Sequence, residues 1–170
     1  MSQTIVLVGP MGAGKSTIGK LLAGILHLPF ADSDRVIEER TGADIPWIFD
    51  VEGEDGFRLR ETAVLKDLLT EEPMVLATGG GIVLREDNRS LLKGDCLVVY
   101  LTASVDQLVE RTHKDKKRPL LQVADPEAKI RELIAQRHSL YEEVADIVIH
   151  TDRRGPRAVA QDIAQRCQLS

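Results

Sequence analysis

Aromatic residues are scarce: one Trp, two Tyr and three Phe in 170 positions. No aromatic platform that could stack a second nucleobase stands out. Cysteine is nearly absent too, and Cys96 and Cys167 have no metal-ligand spacing. Cys96 lies in the apolar "CLVVYL", and both read as structural thiols in a reducing cytosol. Basic residues are outnumbered, 22 Lys and Arg against 27 Asp and Glu, for a formal net charge of -5. The field of the whole molecule therefore disfavours nucleic acid, and no basic run is long enough for a DNA-binding arm. If the substrates are anions, the positive charge must be local. No apolar run is long enough to span a membrane, and "MSQTIVLVGP" lacks a basic leader, so neither a signal peptide nor a membrane contact is expected. Repeats, low-complexity tracts and linkers are also missing. The length suits one domain with a sizeable core, read as a monomer over residues 1–170.

What is present alternates. Short β-rich runs, apolar on both faces, occur at "TIVLV" (4–8), "PFAD" (29–32), "MVLAT" (74–78), "CLVVYL" (96–101) and "DIVIH" (146–150). Such runs suit a parallel sheet covered by helices on both sides. Helical patterns fill the intervals: Ser16–Leu26, Asp34–Arg40, Asp44–Asp50, Gly56–Leu69, Asp87–Leu92, Val105–Thr112, Pro126–Val144 and Pro156–Cys167. The alternation predicts a three-layer α/β/α fold. The segment "THKDKKRPLLQVADPEAK" (112–129) fits neither period and is basic at its start. It reads as an excursion: a solvated charged loop or, in a kinase, a lid at about 112–125.

Gly9 to Ser16, "GPMGAGKS", matches G-x-x-x-x-G-K-[ST] in full, between a strand and a helix. Glycines let backbone N–H groups turn inward around phosphate oxygens, and the helix N-terminus adds positive potential. Gly12, Ala13, Gly14, Lys15, Ser16 and Thr17 are the candidate ATP-binding residues. Lys15 is assigned to the β- and γ-phosphates and the Ser16 hydroxyl to Mg²⁺. The plainer account, a glycine-rich turn with a chance Lys-Ser, leaves the combination of motif and context unexplained. The N-K-x-D and D-x-x-G signatures of a GTPase are missing, and a motor or unfoldase would need more chain. Small kinases remain.

For the phosphoryl acceptor, "ADSD" sets Asp32 and Asp34 two apart at the end of a short strand, hence on one face. Asp32 is assigned to Mg²⁺ and Asp34 to acceptor hydroxyls; alternatively, Asp34 caps the helix that follows. In "GEDGFRLRETAVLKDLL", Phe57, Val64, Leu65 and Leu68 define a buried side, and Arg58 and Glu61 are close enough to meet. They form either a surface ion pair or an arginine fork held by Glu61 and aimed at a carboxylate. Arg137 is a second candidate arginine. Gly79, Gly80 and Gly81 follow a hydrophobic strand, where three glycines strip side chains from one edge of a pocket.

Together these motifs resemble the shikimate kinases, within the nucleoside-monophosphate-kinase-like group of phosphate-loop proteins. The resemblance covers essentially the whole chain and rests on "GPMGAGKSTIG", "DSD", "EERTG", "IFDVEGEDGFRLRE", "TGGG", "RPLL" and "DRRGP" in this order. It implies a P-loop NTPase fold with a five-stranded parallel sheet in order 2-3-1-4-5 and a substrate-binding segment at about 33–61. It implies that Asp34, Arg58, Gly80 and Arg137 hold shikimate, with Gly79 and Gly81 flanking. It places Lys15 and Ser16 at the phosphates and Mg²⁺, with Asp32 beside the metal. Arg118 would be the lid arginine reaching the nucleotide, and Arg111 and Pro156 would sandwich adenine. It further implies Mg²⁺ as cofactor, ATP and shikimate as substrates, and a cytoplasmic enzyme of aromatic amino-acid synthesis. The family often has Pro where this chain has Ser139, and "HKDKK" makes the approach to Arg118 unusually charged.

From the residues alone, the acceptor needs an anionic end for Arg58 and Arg137 and hydroxyls for Asp34. Shikimate and gluconate both satisfy this. A nucleoside monophosphate fits worse, since Asp34 would face a phosphate dianion. A non-catalytic nucleotide sensor would be expected to have lost Lys15, Ser16 or Asp32, and it has lost none.

Overall fold

The computed structural model describes residues 3–112 and 124–169. Five strands form one parallel sheet: β1 (Thr4–Val8), β2 (Phe30–Asp32), β3 (Val75–Ala77), β4 (Cys96–Thr102) and β5 (Ile147–His150), ordered β2-β3-β1-β4-β5. The order is the one expected. The connecting helices are α1 (Lys15–Leu26), α2 (Ser33–Thr41), α3 (Ile45–Leu69), α4 (Glu86–Leu92), α5 (Val105–Thr112), α6 (Pro126–Val144) and α7 (Pro156–Leu169).

Alternation along β1 builds two cores. Val6 and Val8 face a cluster with Ile37 of α2, Phe57, Val64, Leu65 and Leu68 of α3, and Tyr141 and Val144 of α6. Ile5 and Leu7 face the opposite cluster, with Ile18 and Leu22 of α1, Leu108 of α5, and Val159 and Ile163 of α7. Helix α6 belongs to both: Ile130 and Leu133 pack in the second core, Tyr141 and Val144 in the first. Arg137 lies between these two stretches of one continuous helix, which runs unbroken through Ser139.

The two helices expected at 44–50 and 56–69 are both present and meet at a kink at Gly53, where φ is 75° and ψ is 176°. "VEGEDG" reads as a loop because it is rich in acids and glycine. Arginines on the following turns tie it down. Arg60 donates twice to the Glu52 carboxylate, at 2.7 Å each, and Arg58 Nη2 meets Glu54 at 3.3 Å. Caps fix the other starts. Asp44 accepts from the Trp47 N–H at 3.0 Å, and Asp125 accepts from the Ala128 N–H at 3.1 Å, just before Pro126.

Candidate active site

The strands open the site at their C-terminal ends, where ligands bind in open α/β sheets. Between β1 and α1 the chain turns through Gly14, whose backbone is left-handed at φ 94° and which forms the N-cap of α1. Gly9 is glycine for a second reason, since a Cβ there would lie 2.1 Å from the Leu101 carbonyl oxygen. The Lys15 ammonium donates to the carbonyls of Gly9 at 2.5 Å and Pro10 at 3.0 Å, which sets its charge at the loop mouth. Ala13 is fully buried and packs in the core on the α1 side. Met11, Gly12, Gly14, Lys15, Ser16 and Thr17 line a cleft of about 230 Å³, joined by Asp32, Asp34, Thr78 and Arg111.

The two aspartates share this cleft, for a different reason from the expected one. The strand ends at Asp32, and Asp34 stands in the first turn of α2. The cap is Asp32, not Asp34. Asp32 Oδ1 accepts from the Asp34 N–H at 3.0 Å, and its Oδ2 accepts from the Ser16 hydroxyl at 2.6 Å. Ser16 and Asp32 thus offer hard oxygen donors at the mouth of the phosphate loop, the chemistry Mg²⁺ prefers. No group of three or more His, Cys, Asp and Glu side chains among the described residues could hold a metal by itself.

Past β3, Gly79, Gly80 and Gly81 lie against the residues expected at the acceptor. A Cβ on Gly79 would sit 2.9 Å from Asp34 Oδ1 and 3.2 Å from Glu61 Oε2. One on Gly80 would sit 3.4 Å from Arg137 Nη1, and one on Gly81 would sit 2.4 Å from both terminal nitrogens of Arg58. The glycines were expected to clear room for a ligand. They also clear room for the protein's own charged side chains to lie flat on the backbone.

The Arg58–Glu61 pair is not at the surface. Glu61 is fully buried, Arg58 is 8% exposed, and Nη1 donates to Oε1 at 3.0 Å. Burial raises the Glu61 pKa to about 7. The nearby Asp34 charge pushes it the same way, while Arg58 and Arg137 oppose the rise. Glu61 Oε2 has no hydrogen-bond partner among the described residues. Arg137 is 4% exposed and pairs with no carboxylate among them. Both guanidiniums are nearly buried, and an anionic ligand would offset the cost of that burial.

Arg111 donates to the Gly12 carbonyl at 3.0 Å, and with Thr17, Thr151, Arg154 and Pro156 it lines an adjoining cleft of about 190 Å³. Arg111 and Pro156 thus lie on one cleft beside the phosphate loop. Arg118 and residues 113–123 of the lid expected at about 112–125 lie outside the described residues.

Several residues that shape the acceptor loop were not anticipated. The buried Tyr141 donates its hydroxyl to the Gly80 carbonyl at 2.5 Å. Asn88 donates to the Ile82 carbonyl at 3.0 Å, and Arg89 to those of Val83 at 2.8 Å and Leu84 at 3.1 Å. Tyr141 had a signal, one helical turn beyond Arg137 on the same face. Asn88 and Arg89 had none, because a short polar helix carries no mark of what its side chains reach.

A parallel sheet of this order, a complete phosphate loop and an arginine-lined pocket at its side define a small-molecule kinase of the phosphate-loop class. The family model described as shikimate kinase matches residues 11–168. A shikimate kinase of Chromohalobacter salexigens is 59% identical over 163 residues, covering 96% of this chain and 91% of the relative. Among solved structures, "Shikimate kinase from Acinetobacter baumannii in complex with shikimate" superposes with a TM-score of 0.97 at 50% identity, covering 99% of this chain and 94% of that one. The shikimate kinase of Aquifex aeolicus vf5 does so at 0.85 and 35%, covering 98% and 96%. The chain belongs to the shikimate kinase family.

Proposed function

We propose that the chain transfers the γ-phosphoryl group of ATP to the 3-hydroxyl of shikimate, giving shikimate 3-phosphate and ADP on the route to chorismate. The observation that carries the acceptor assignment is the pair of buried guanidiniums, Arg58 and Arg137, laid on consecutive glycines beside Asp34. A ring carboxylate would complete Arg137 and bring its hydroxyls to the Asp34 end of the same loop. The anion requirement disfavours neutral sugars. The membership of nearly the whole chain in one family favours shikimate over the open-chain gluconate.

The transition state of phosphoryl transfer is loose, so positioning and charge neutralisation dominate. Asp34 orients the attacking hydroxyl and accepts its proton late in the transfer. Lys15 and the N-terminus of α1 face the phosphates. Gly12, Ala13, Gly14 and Thr17 contribute backbone and hydroxyl donors, and Arg111 and Pro156 flank adenine. Arg118, delivered by a lid at about 112–125, would reach the moving phosphoryl group. Gly79, Gly80 and Gly81 present the acceptor loop. Ser16 and Asp32 would hold Mg²⁺, which when bound offsets charge on the phosphate oxygens. We place the enzyme in the cytoplasm as a monomer. No helix among the described residues is long and apolar enough to cross a membrane.

The direct test is product analysis. Phosphorus–proton coupling in the NMR spectrum should locate the new phosphate on carbon 3, in a one-to-one ratio with ADP. A phosphate on another hydroxyl would refute the orientation assigned to Asp34.

A further inference from the structure

On the nucleotide side, Ser104 caps the start of α5. Its hydroxyl accepts from the Gln107 N–H at 3.3 Å and its carbonyl from the Leu108 N–H at 3.0 Å. "SVDQ" has the spacing of a capping box, in which the Gln side chain folds back onto the N–H of the Ser. That N–H is already taken. Both oxygens of Asp152, in the loop after β5, accept from it, at 2.9 and 3.1 Å. The Gln107 side chain is thereby released toward Arg111, one helical turn further along the same face.

The Gln107 amide has one orientation that satisfies both its neighbours. Its nitrogen donates to Asp152 Oδ1 at 2.5 Å, and its oxygen accepts from Arg111 Nη2 at 3.0 Å. An ionised Asp only accepts and an Arg only donates, so Asp152 dictates which end of the amide meets Arg111. Arg111 Nη1 donates to the Gly12 carbonyl at 3.0 Å. Bonds from both terminal nitrogens thus fix the plane of the guanidinium, beside the cleft that Thr151, Arg154 and Pro156 also line. Gln107 and Asp152 are not part of that lining. Arg111 is exposed, and an exposed arginine gives up much rotamer freedom when a ligand orders it. One held beforehand gives up less.

We propose that Gln107 is a positioning residue of the nucleotide site: clamped by Asp152, it holds the Arg111 guanidinium in the plane that receives the purine base. The inference rests on the reading above that Arg111 and Pro156 flank adenine. Gln107 touches no nucleotide; it acts through Arg111.

Gln107→Met keeps the length of the side chain and removes both amide bonds. The variant should raise the ATP KM roughly three- to tenfold, as expected for one lost hydrogen bond, with kcat and the shikimate KM unchanged. Inorganic tripolyphosphate, which can fill the phosphate loop but carries no base, should inhibit wild type and Gln107→Met with the same constant. In an Arg111→Ala background, Gln107→Met should add no further rise in the ATP KM, because the group it holds is gone. An unchanged ATP KM in Gln107→Met would overturn the proposal. So would an equal weakening of tripolyphosphate inhibition, or a full additive penalty in the Arg111→Ala background; each would leave Gln107 as an ordinary residue of the helix start. Arg111→Ala alone separates this from the underlying reading. A raised ATP KM there with no effect of Gln107→Met sinks only the glutamine. No effect of Arg111→Ala sinks both.

Discussion

Glu61 shows how the site's charges bear on stability. Its carboxyl titrates near 7 in the fold against 4.5 unfolded. Below 4.5 both states hold the proton. Between the two values the unfolded chain releases it and the folded chain keeps it, so stability falls as pH rises, and the loss levels off above 7 at about 3 kcal/mol. Glu61→Gln should flatten that slope in urea unfolding between pH 5 and 7.5; a slope equal to wild type would mean that Glu61 ionises freely. Arg58, which Glu61 holds, should not tolerate Lys. The planar fork is lost, so shikimate binding should weaken roughly tenfold or more with ATP binding spared. The aspartates should fail differently. Asp32→Asn should regain part of its activity with added Mg²⁺. Asp34→Asn should lose kcat and shikimate affinity whatever the Mg²⁺ concentration; near-normal turnover would remove it from the acceptor site. At this scale the sequence identified the aspartates and arginines but misjudged their settings. The strand period set Asp34 on one face with Asp32, whereas it stands in the first turn of the helix also expected from Asp34, and spacing alone could not show that the Arg58–Glu61 pair is buried.

Elements aim these residues, and two glycines show how. Gly53 breaks α3 in a backbone region that L-residues rarely adopt, at φ 75° and ψ 176°. Gly53→Ala should cost about 1–3 kcal/mol by denaturant unfolding. Because the break sets the approach of Arg58, the shikimate KM should rise with it while the ATP KM stays put. The gap left between the helices expected at 44–50 and 56–69 brackets this break, and side-chain pairs across it carry helical turns into what glycine and acid content reads as loop. Gly81→Ala would place a methyl 2.4 Å from the Arg58 nitrogens and force the guanidinium aside. The shikimate KM should climb at least about tenfold, with ATP binding untouched. "TGGG" drew attention to the loop, against which Asp34, Glu61, Arg58 and Arg137 pack. That α4 and α6 would take up its carbonyls was invisible, since hydrogen bonds between distant segments leave no local pattern.

For the whole molecule, the sheet order divides the labour. The acceptor residues rise from the β2 and β3 side, Arg137 from α6 where it passes from one core to the other, and the phosphate loop from β1 at the centre. Parallel strands and covering helices were legible in apolar runs. Strand order was not, because periodicity does not say which strands are neighbours, and it came with the family resemblance. The account's central claim is that this arrangement selects a compact hydroxylated carboxylate as phosphoryl acceptor. ADP release measured with shikimate, gluconate, CMP and no acceptor tests it most directly. The account predicts rapid release with shikimate alone and the no-acceptor baseline with the other two; turnover of gluconate or CMP comparable to that of shikimate would contradict it.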